Sequence, residues 1–235
     1  METTGPVSSA TASDAIDPTP TVAAFDVDKT LTVRDCVVPF LWRLTGWRTV
    51  PRLLRWSLPV GWAVIRRDRD RVKALATRII MTGLERRIIE AHAAAHAVTI
   101  RESWLRPDVC GRLRWHRTQG HHVVLVSASF TAYLHHVARA LECTEGLACE
   151  IEYDDSDRCT GRLVAGNCRG AEKERRLRRW MEASGLGSAS IYAYGDSQGD
   201  AHLLAMADWP TRITREPIHL VPEHIVLTTG ASSTS

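Results

Sequence analysis

Two aspartates two positions apart, Asp26 and Asp28 in Asp26-Val27-Asp28-Lys29-Thr30, follow directly on the apolar run Val22-Ala23-Ala24-Phe25. Carboxylates at the end of a buried strand are costly unless a cation or a proton neutralises them, and an oxygen-rich site of this kind suits Mg2+. Taken alone, the pair also reads as a turn or a helix cap, since aspartate serves in both. Three further groups sit after apolar runs or glycine-rich loops. Ser127 follows Val123-Val124-Leu125-Val126 and offers a hydroxyl to a phosphate oxygen or to a helix N-terminus. Lys173, one of three lysines in a chain that otherwise uses arginine, comes after Gly166-Asn167-Cys168-Arg169-Gly170. It reads either as a point charge for a phosphoryl group or as part of a solvated helix face. Asp196 and Asp200 lie in Gly195-Asp196-Ser197-Gln198-Gly199-Asp200, a glycine-flanked turn that lets backbone approach a ligand closely.

The elements that must hold these groups are legible from periodicity. Val22 to Phe25, Val123 to Val126 and Ile191 to Tyr194 are continuous rather than alternating apolar runs, as expected of strands buried on both faces of a parallel sheet. Helical patterns follow two of them, over 131–141 and 201–207, and another over 172–184 precedes the third. This alternation predicts an α/β fold with a doubly wound, Rossmann-like parallel sheet. From Thr30 to Ser127 is 97 positions, whereas a parallel crossover needs only about a dozen residues. The apolar stripes Val37, Val38, Leu41 and Leu44, then Ile88, Ile89 and His92, predict that the excess is helical. The expected organisation is a tail over 1–20, a core over 21–32 and 107–229, an inserted helical cap over 33–106 beside the sheet's carboxyl edge, and a second tail over 230–235.

Composition bounds the function. With 235 residues, 44% hydrophobic and 24% charged, the chain is an ordinary globular domain and neither a disordered polymer nor a membrane bundle. A net charge of +3 does not call for a nucleic acid. The apolar stretch Trp56 to Ile65 is ten residues long, about half of what a membrane span needs. Six cysteines without a Cys-x-x-Cys pair read as semi-buried hydrophobes in a reducing cytoplasm. The first twenty residues carry acids but no Lys or Arg, unlike a signal or transit peptide.

The ordered set Asp26-Val27-Asp28-Lys29-Thr30-Leu31-Thr32, Val124-Leu125-Val126-Ser127-Ala128-Ser129, Lys173 and Gly195-Asp196-Ser197-Gln198-Gly199-Asp200 resembles the haloacid-dehalogenase superfamily of phosphatases. The resemblance spans about 21–215 and is to the phosphoserine-phosphatase-like branch with a helical cap, near the bacterial phosphatidylglycerophosphate phosphatases. It implies that Asp26 is the nucleophile of an aspartyl-phosphate intermediate and Asp28 the acid and base. It also implies Mg2+ held by Asp26, the Asp28 backbone carbonyl and Asp196, with Asp200 behind them, and phosphoryl oxygens held by Ser127 and Lys173. Lys29 stands where the superfamily often has Gly, and points either at the site or to solvent. Asp35 and Arg78 occupy places comparable to the groups that grip the amino-acid part of phosphoserine, although Asp35 equally suits a cap for a helix starting near Cys36.

In the cap, Trp42, Trp47, Trp56 and Trp62 alternate with Arg43, Arg48, Arg52 and Arg55. That mixture suits an anionic lipid surface, or a small cap core with solvated arginines. The pairs His121-His122 and His135-His136 are expected at the surface, since neighbouring side chains on a strand or helix diverge. The sequence therefore predicts a cytoplasmic, Mg2+-dependent phosphomonoesterase, acting on a lipid phosphate or a small phosphoserine-like ester and touching the inner membrane face peripherally. The alternatives are a phosphotransferase with the same intermediate and a silent phosphate-binding or membrane-binding module.

Overall fold

β1, Thr21–Phe25, lies at the centre of a five-stranded sheet because Val22, Ala23, Ala24 and Phe25 all lose their exposure to solvent. Burial of a Val or Phe side chain contributes roughly 1.5–3 kcal/mol, so no other position in the sheet suits this run as well. The computed structural model describes residues 19–46, 69–223 and 225. Strand order is β3-β2-β1-β6-β7, with β2 at His122–Phe130, β3 at Glu145–Cys149, β6 at Ser190–Gly195 and β7 at Trp209–Arg212, and every pairing is parallel. The chain winds outward from β1 in both directions. A crevice therefore opens at the carboxyl ends of β1 and β6, where Phe25 is level with Tyr194.

Between β1 and β2 the chain forms α1 (Val37–Thr45), α2 (Arg69–Met81), α3 (Arg86–Thr99) and α4 (Pro107–Thr118). The way into this insert and the way out are hydrogen-bonded side by side. Val33 N–H donates to Trp104 O at 2.7 Å and Arg106 N–H to Leu31 O at 2.9 Å, around an antiparallel bridge between Thr32 and Leu105. α5 (Thr131–Ala140) follows β2, α6 (Ala171–Ala183) precedes β6, and α7 (Ala201–Ala205) leads to β7. No described helix is long and apolar enough to cross a membrane. The described cysteines are free, and all but half-buried Cys143 are buried.

The structure adds elements that periodicity did not announce. β3, β7 and an antiparallel hairpin of β4 (Ile151–Tyr153) and β5 (Cys159–Leu163) are short and carry polar residues, so they lack the buried-run signature. The hairpin packs on α2 so closely that a Cβ on Gly161 would lie 3.0 Å from Arg78 Cα, and Gly161 has φ 79°. Glycine alone fits there. Trp47, Trp56, Trp62, Arg48, Arg52 and Arg55, and most of both tails, lie outside the described residues.

His121 is not the plain surface residue expected from sequence. Its Nδ1 meets Nδ1 of buried His116 at 2.8 Å, and His116 Nε2 reaches Tyr194 Oη at 2.8 Å, which also accepts from Arg112. Burial, then His121 and Arg112, push the His116 pKa down to about 2. Burial pushes His96, bonded through Nε2 to Cys36 O, down to about 4. Unfolding returns both rings to about 6.5. Their contribution is complete above that value and is lost as pH falls from 6.5 toward the folded values, by roughly 1–2 kcal/mol per ring at pH 5. Denaturant titrations at pH 7.5 and 5 should show this loss, and His116→Asn should lose less on acidification than wild type.

Candidate active site

Asp26 remains tied to the sheet, its N–H donating to Tyr194 O at 2.9 Å. Lys173, from the first turn of α6, donates to Asp26 Oδ1 and, at 2.6 Å, to Asp200 Oδ1. All three are buried: Lys173 is 2% exposed, Asp26 5% and Asp200 1%. Ser197 fixes the other oxygen of Asp200, donating through N–H at 3.0 Å and Oγ at 2.7 Å. Gly195 is required beside it, since a Cβ there would lie 2.5 Å from Asp200 Cβ.

The charges do not balance. Asp26, Asp196 and Asp200 bring carboxylate oxygens within 4.8 Å of one another around a single ammonium. Burial pushes Asp26 up to about 7; Lys173 opposes the rise, and the charges of Asp200 and Asp28 add to it. Burial, then Asp200, also raises Asp196. Burial alone would raise Asp200, but Lys173 and Ser197 hold it below the usual carboxylate range. Lys173 stays charged because its two carboxylate partners outweigh its burial. Clustered oxygens with an excess of negative charge fit a hard divalent cation.

Asp28 has a different environment. Its Oδ1 accepts from Cys36 N–H at 2.7 Å and its Oδ2 from Ser129 Oγ at 3.0 Å. Burial, then the charge of Asp35, raises its pKa against those two hydrogen bonds. The turn carrying it, Val27–Leu31, is kinked at Lys29, which has φ 65°. That left-handed conformation favours glycine. Lys29 is exposed and lines a cavity of about 700 Å³ together with Asp26, Asp28, Asp35, Lys173 and Asp196. It thus meets the site and solvent at once. Val37, Val38 and Leu41 of α1 and Val72 and Ala76 of α2 make up an apolar part of the lining.

The haloacid dehalogenase-like hydrolase family matches this chain over residues 23–205, which contain every carboxylate of the cluster. The chain belongs to that family. Protein CicA of Caulobacter vibrioides is 36% identical over 193 residues, covering 80% of this chain and 84% of CicA. The fold is similar to that of a Bordetella pertussis protein of unknown function, with TM-score 0.69 and 22% identity over 91% of this chain and 96% of that one. It also matches a substrate-bound phosphoserine phosphatase at TM-score 0.55 and 14% identity, over 80% and 83% of the two chains.

In this haloacid dehalogenase-like chain, Asp26, Asp196, Asp200 and Lys173 converge as the sequence suggested, and Asp28 and Asp35 join them along the cavity. Asp35 also serves as a helix cap, accepting from Val38 N–H at 3.0 Å. Ser127 is fully buried and outside the cavity lining; its Oγ accepts from Ser129 N–H at 3.0 Å, and Ala128 lines the cavity instead. Arg78 corrects the sequence expectation, because it lies against Gly161 of the hairpin and does not line the cavity. The cation of α2 that does so is Lys73, five positions earlier and about 140° around the helix. Lys73 is 7% exposed and pairs with no carboxylate among the described residues; it donates to Ala128 O, Asn167 Oδ1 and Cys149 Sγ. A signal for it was present, since all three lysines of the chain line this cavity.

Removing one partner of a buried ion cluster costs roughly 3–5 kcal/mol. Lys173→Met should destabilise the protein by about that much at pH 7, measured by urea unfolding. The deficit should shrink toward pH 5, because Asp26 and Asp200 without their ammonium take up protons in the folded state more readily than in the unfolded chain.

Proposed function

We propose that this hydrolase is a Mg2+-dependent phosphomonoesterase working through a phosphorylated Asp26. The observation that carries the reading is the Asp26 carboxylate, buried at the cavity floor and held by Lys173 beside Asp196 and Asp200. A carboxylate oxygen of Asp26 attacks phosphorus in line, and the ester oxygen departs with a proton from Asp28. Asp28 then takes a proton from the water that attacks the same phosphorus, releasing phosphate and restoring Asp26. Burial and the Asp35 charge favour the protonated Asp28 that the first half needs. Lys173 balances charge on the phosphoryl oxygens in the transition state, with Ser127 supporting this motif from behind. Asp26, Asp196 and Asp200, with the Asp28 backbone carbonyl, would hold Mg2+, which when bound supplies Lewis-acid stabilisation of those oxygens.

The substrate we assign is a lipid phosphate of the phosphatidylglycerophosphate kind, chosen by a cap over 33–106 above a core over 21–32 and 107–229. Three features support it. Part of the cavity's lining is apolar; Lys73 offers a second cation for a second anionic group; and the apolar lining continues outward through Val38 and Trp42, 67% and 46% exposed and four positions apart on α1. A cytoplasmic protein with this rim would work at the inner membrane face. Asp35 on the cavity supports the smaller, phosphoserine-like ester as the second reading.

Release of phosphate from an aryl phosphate should require Mg2+ and fall at least about a thousandfold in Asp26→Asn. Equal activity of the two proteins rejects the mechanism. With lipid phosphate in mixed micelles, Lys73→Ala should lower kcat/KM about 10–100-fold, as expected for one charge-assisted contact, and change aryl phosphate turnover far less. Rapid turnover of phosphoserine, with no retention on anionic vesicles at low salt, rejects the lipid assignment.

A further inference from the structure

On the side of the fold formed by α3 and α5, the packed helices bring Glu90, His135 and His136 together, all three half-buried. Neighbouring positions on a helix point about 100° apart, which is why the histidine pair was expected to be two separate surface residues. Instead the two rings lie against each other, 3.9 Å between centroids and tilted by 37°. Glu90 reaches them from the facing helix, and one ligand atom from each residue lies within 4.8 Å of the others. His135 Nδ1 contacts Thr131 O at 2.9 Å. That nitrogen therefore donates to the carbonyl, and a backbone carbonyl behind a histidine is the usual support of a metal-binding imidazole.

We propose that Glu90, His135 and His136 form a second metal site, independent of the catalytic carboxylates, that takes a borderline transition ion such as Zn2+. Two imidazoles and one carboxylate make a donor set suited to Zn2+, Ni2+ or Cu2+, whereas the all-oxygen cluster of Asp26, Asp196 and Asp200 suits Mg2+. Ligand chemistry thus sorts the two ions between the two clusters. Bonds of 2.0–2.1 Å in a tetrahedron set ligand atoms roughly 3.3 Å apart, so closure from within 4.8 Å asks for side-chain rotation of about an ångström or so. Solvent access leaves the fourth position to water. An ion here joins α3 of the insert to α5, which starts directly after the Ser127–Phe130 segment of β2.

Zinc binding to the full-length protein, measured by equilibrium dialysis in saturating Mg2+ to fill the carboxylate cluster, tests the site. Wild type should bind one Zn2+ and, at a hundredfold excess over Kd, unfold at a temperature higher by roughly 5–10 °C. His136→Gln and Glu90→Gln should each lose that equivalent and that shift while retaining Mg2+-dependent phosphate release. Co2+ substitution should give a visible absorption band in wild type that is absent from both variants. The proposal is overturned if wild type binds no Zn2+ under these conditions, or if both variants match it in stoichiometry and thermal shift, which places the ion elsewhere. Glu90→Gln preserves side-chain size, so it decides the outcome even where His136→Gln folds poorly.

Discussion

A single buried ammonium holds three segments of the chain in one place. Lys173 comes from α6, Asp26 from the end of β1 and Asp200 from the turn after β6, and desolvating any one of them alone would be prohibitive. Because two carboxylates surround one cation, the cluster is not neutral, and Asp196 adds to the imbalance. That surplus has little value for stability. It has value under the proposed mechanism, in which the site attracts a divalent cation and then a phosphoryl group, so the negative surplus is better understood as serving chemistry than as reinforcing the fold.

The same constraint separates Asp26 from Asp28, although only Val27 lies between them. Asp26 faces Lys173, Asp196 and Asp200, while Asp28 turns to Cys36 N–H and Ser129 Oγ. The chain turns sharply at Lys29, φ 65°, directly after this pair, and the two carboxylates, two positions apart, end in different electrostatic surroundings. A nucleophile needs an ionised carboxylate that a cation can hold, and an acid needs one that keeps its proton. Under the proposed mechanism the difference lies in the neighbours: Lys173 opposes the burial that raises Asp26, while the Asp35 charge adds to the burial that raises Asp28.

What was legible in the sequence follows from this geometry. The strands beneath the site are buried on both faces, so they appear as uninterrupted apolar runs, and the polar residue ending each run marks the sheet's carboxyl edge. Asp26, Asp196 and Asp200 could therefore be picked out by position, and Lys173 by the scarcity of lysine and the glycine-containing loop before it. β3, β7 and the β4–β5 hairpin could not, because strands such as Cys159-Thr160-Gly161-Arg162-Leu163 take their order from what packs on them. The insert was legible as helical but not in its facing. Arg78 and Lys73 share α2, and only the hairpin lying against Arg78 decides which of them looks into the cavity. Likewise Ser127 and Ser129 alternate along β2, and a sequence motif cannot say that the second is the one touching Asp28.

Chemistry and selection are thus drawn from different parts of the chain. The carboxylate part of the cavity is built from strand ends and α6; the apolar part of its lining comes from α1 and α2, joined to the sheet through the paired segments at Thr32 and Leu105. Lys73 stands at the meeting of the two. Its ammonium meets carbonyl, amide and thiol groups and the face of the Phe130 ring, and no carboxylate among the described residues. A cation with no carboxylate partner among the described residues, at 7% exposure, is costly to maintain in a protein with so many arginines. Its retention is intelligible if the substrate brings the missing anion, and the apolar wall beside it then determines what that anion is attached to.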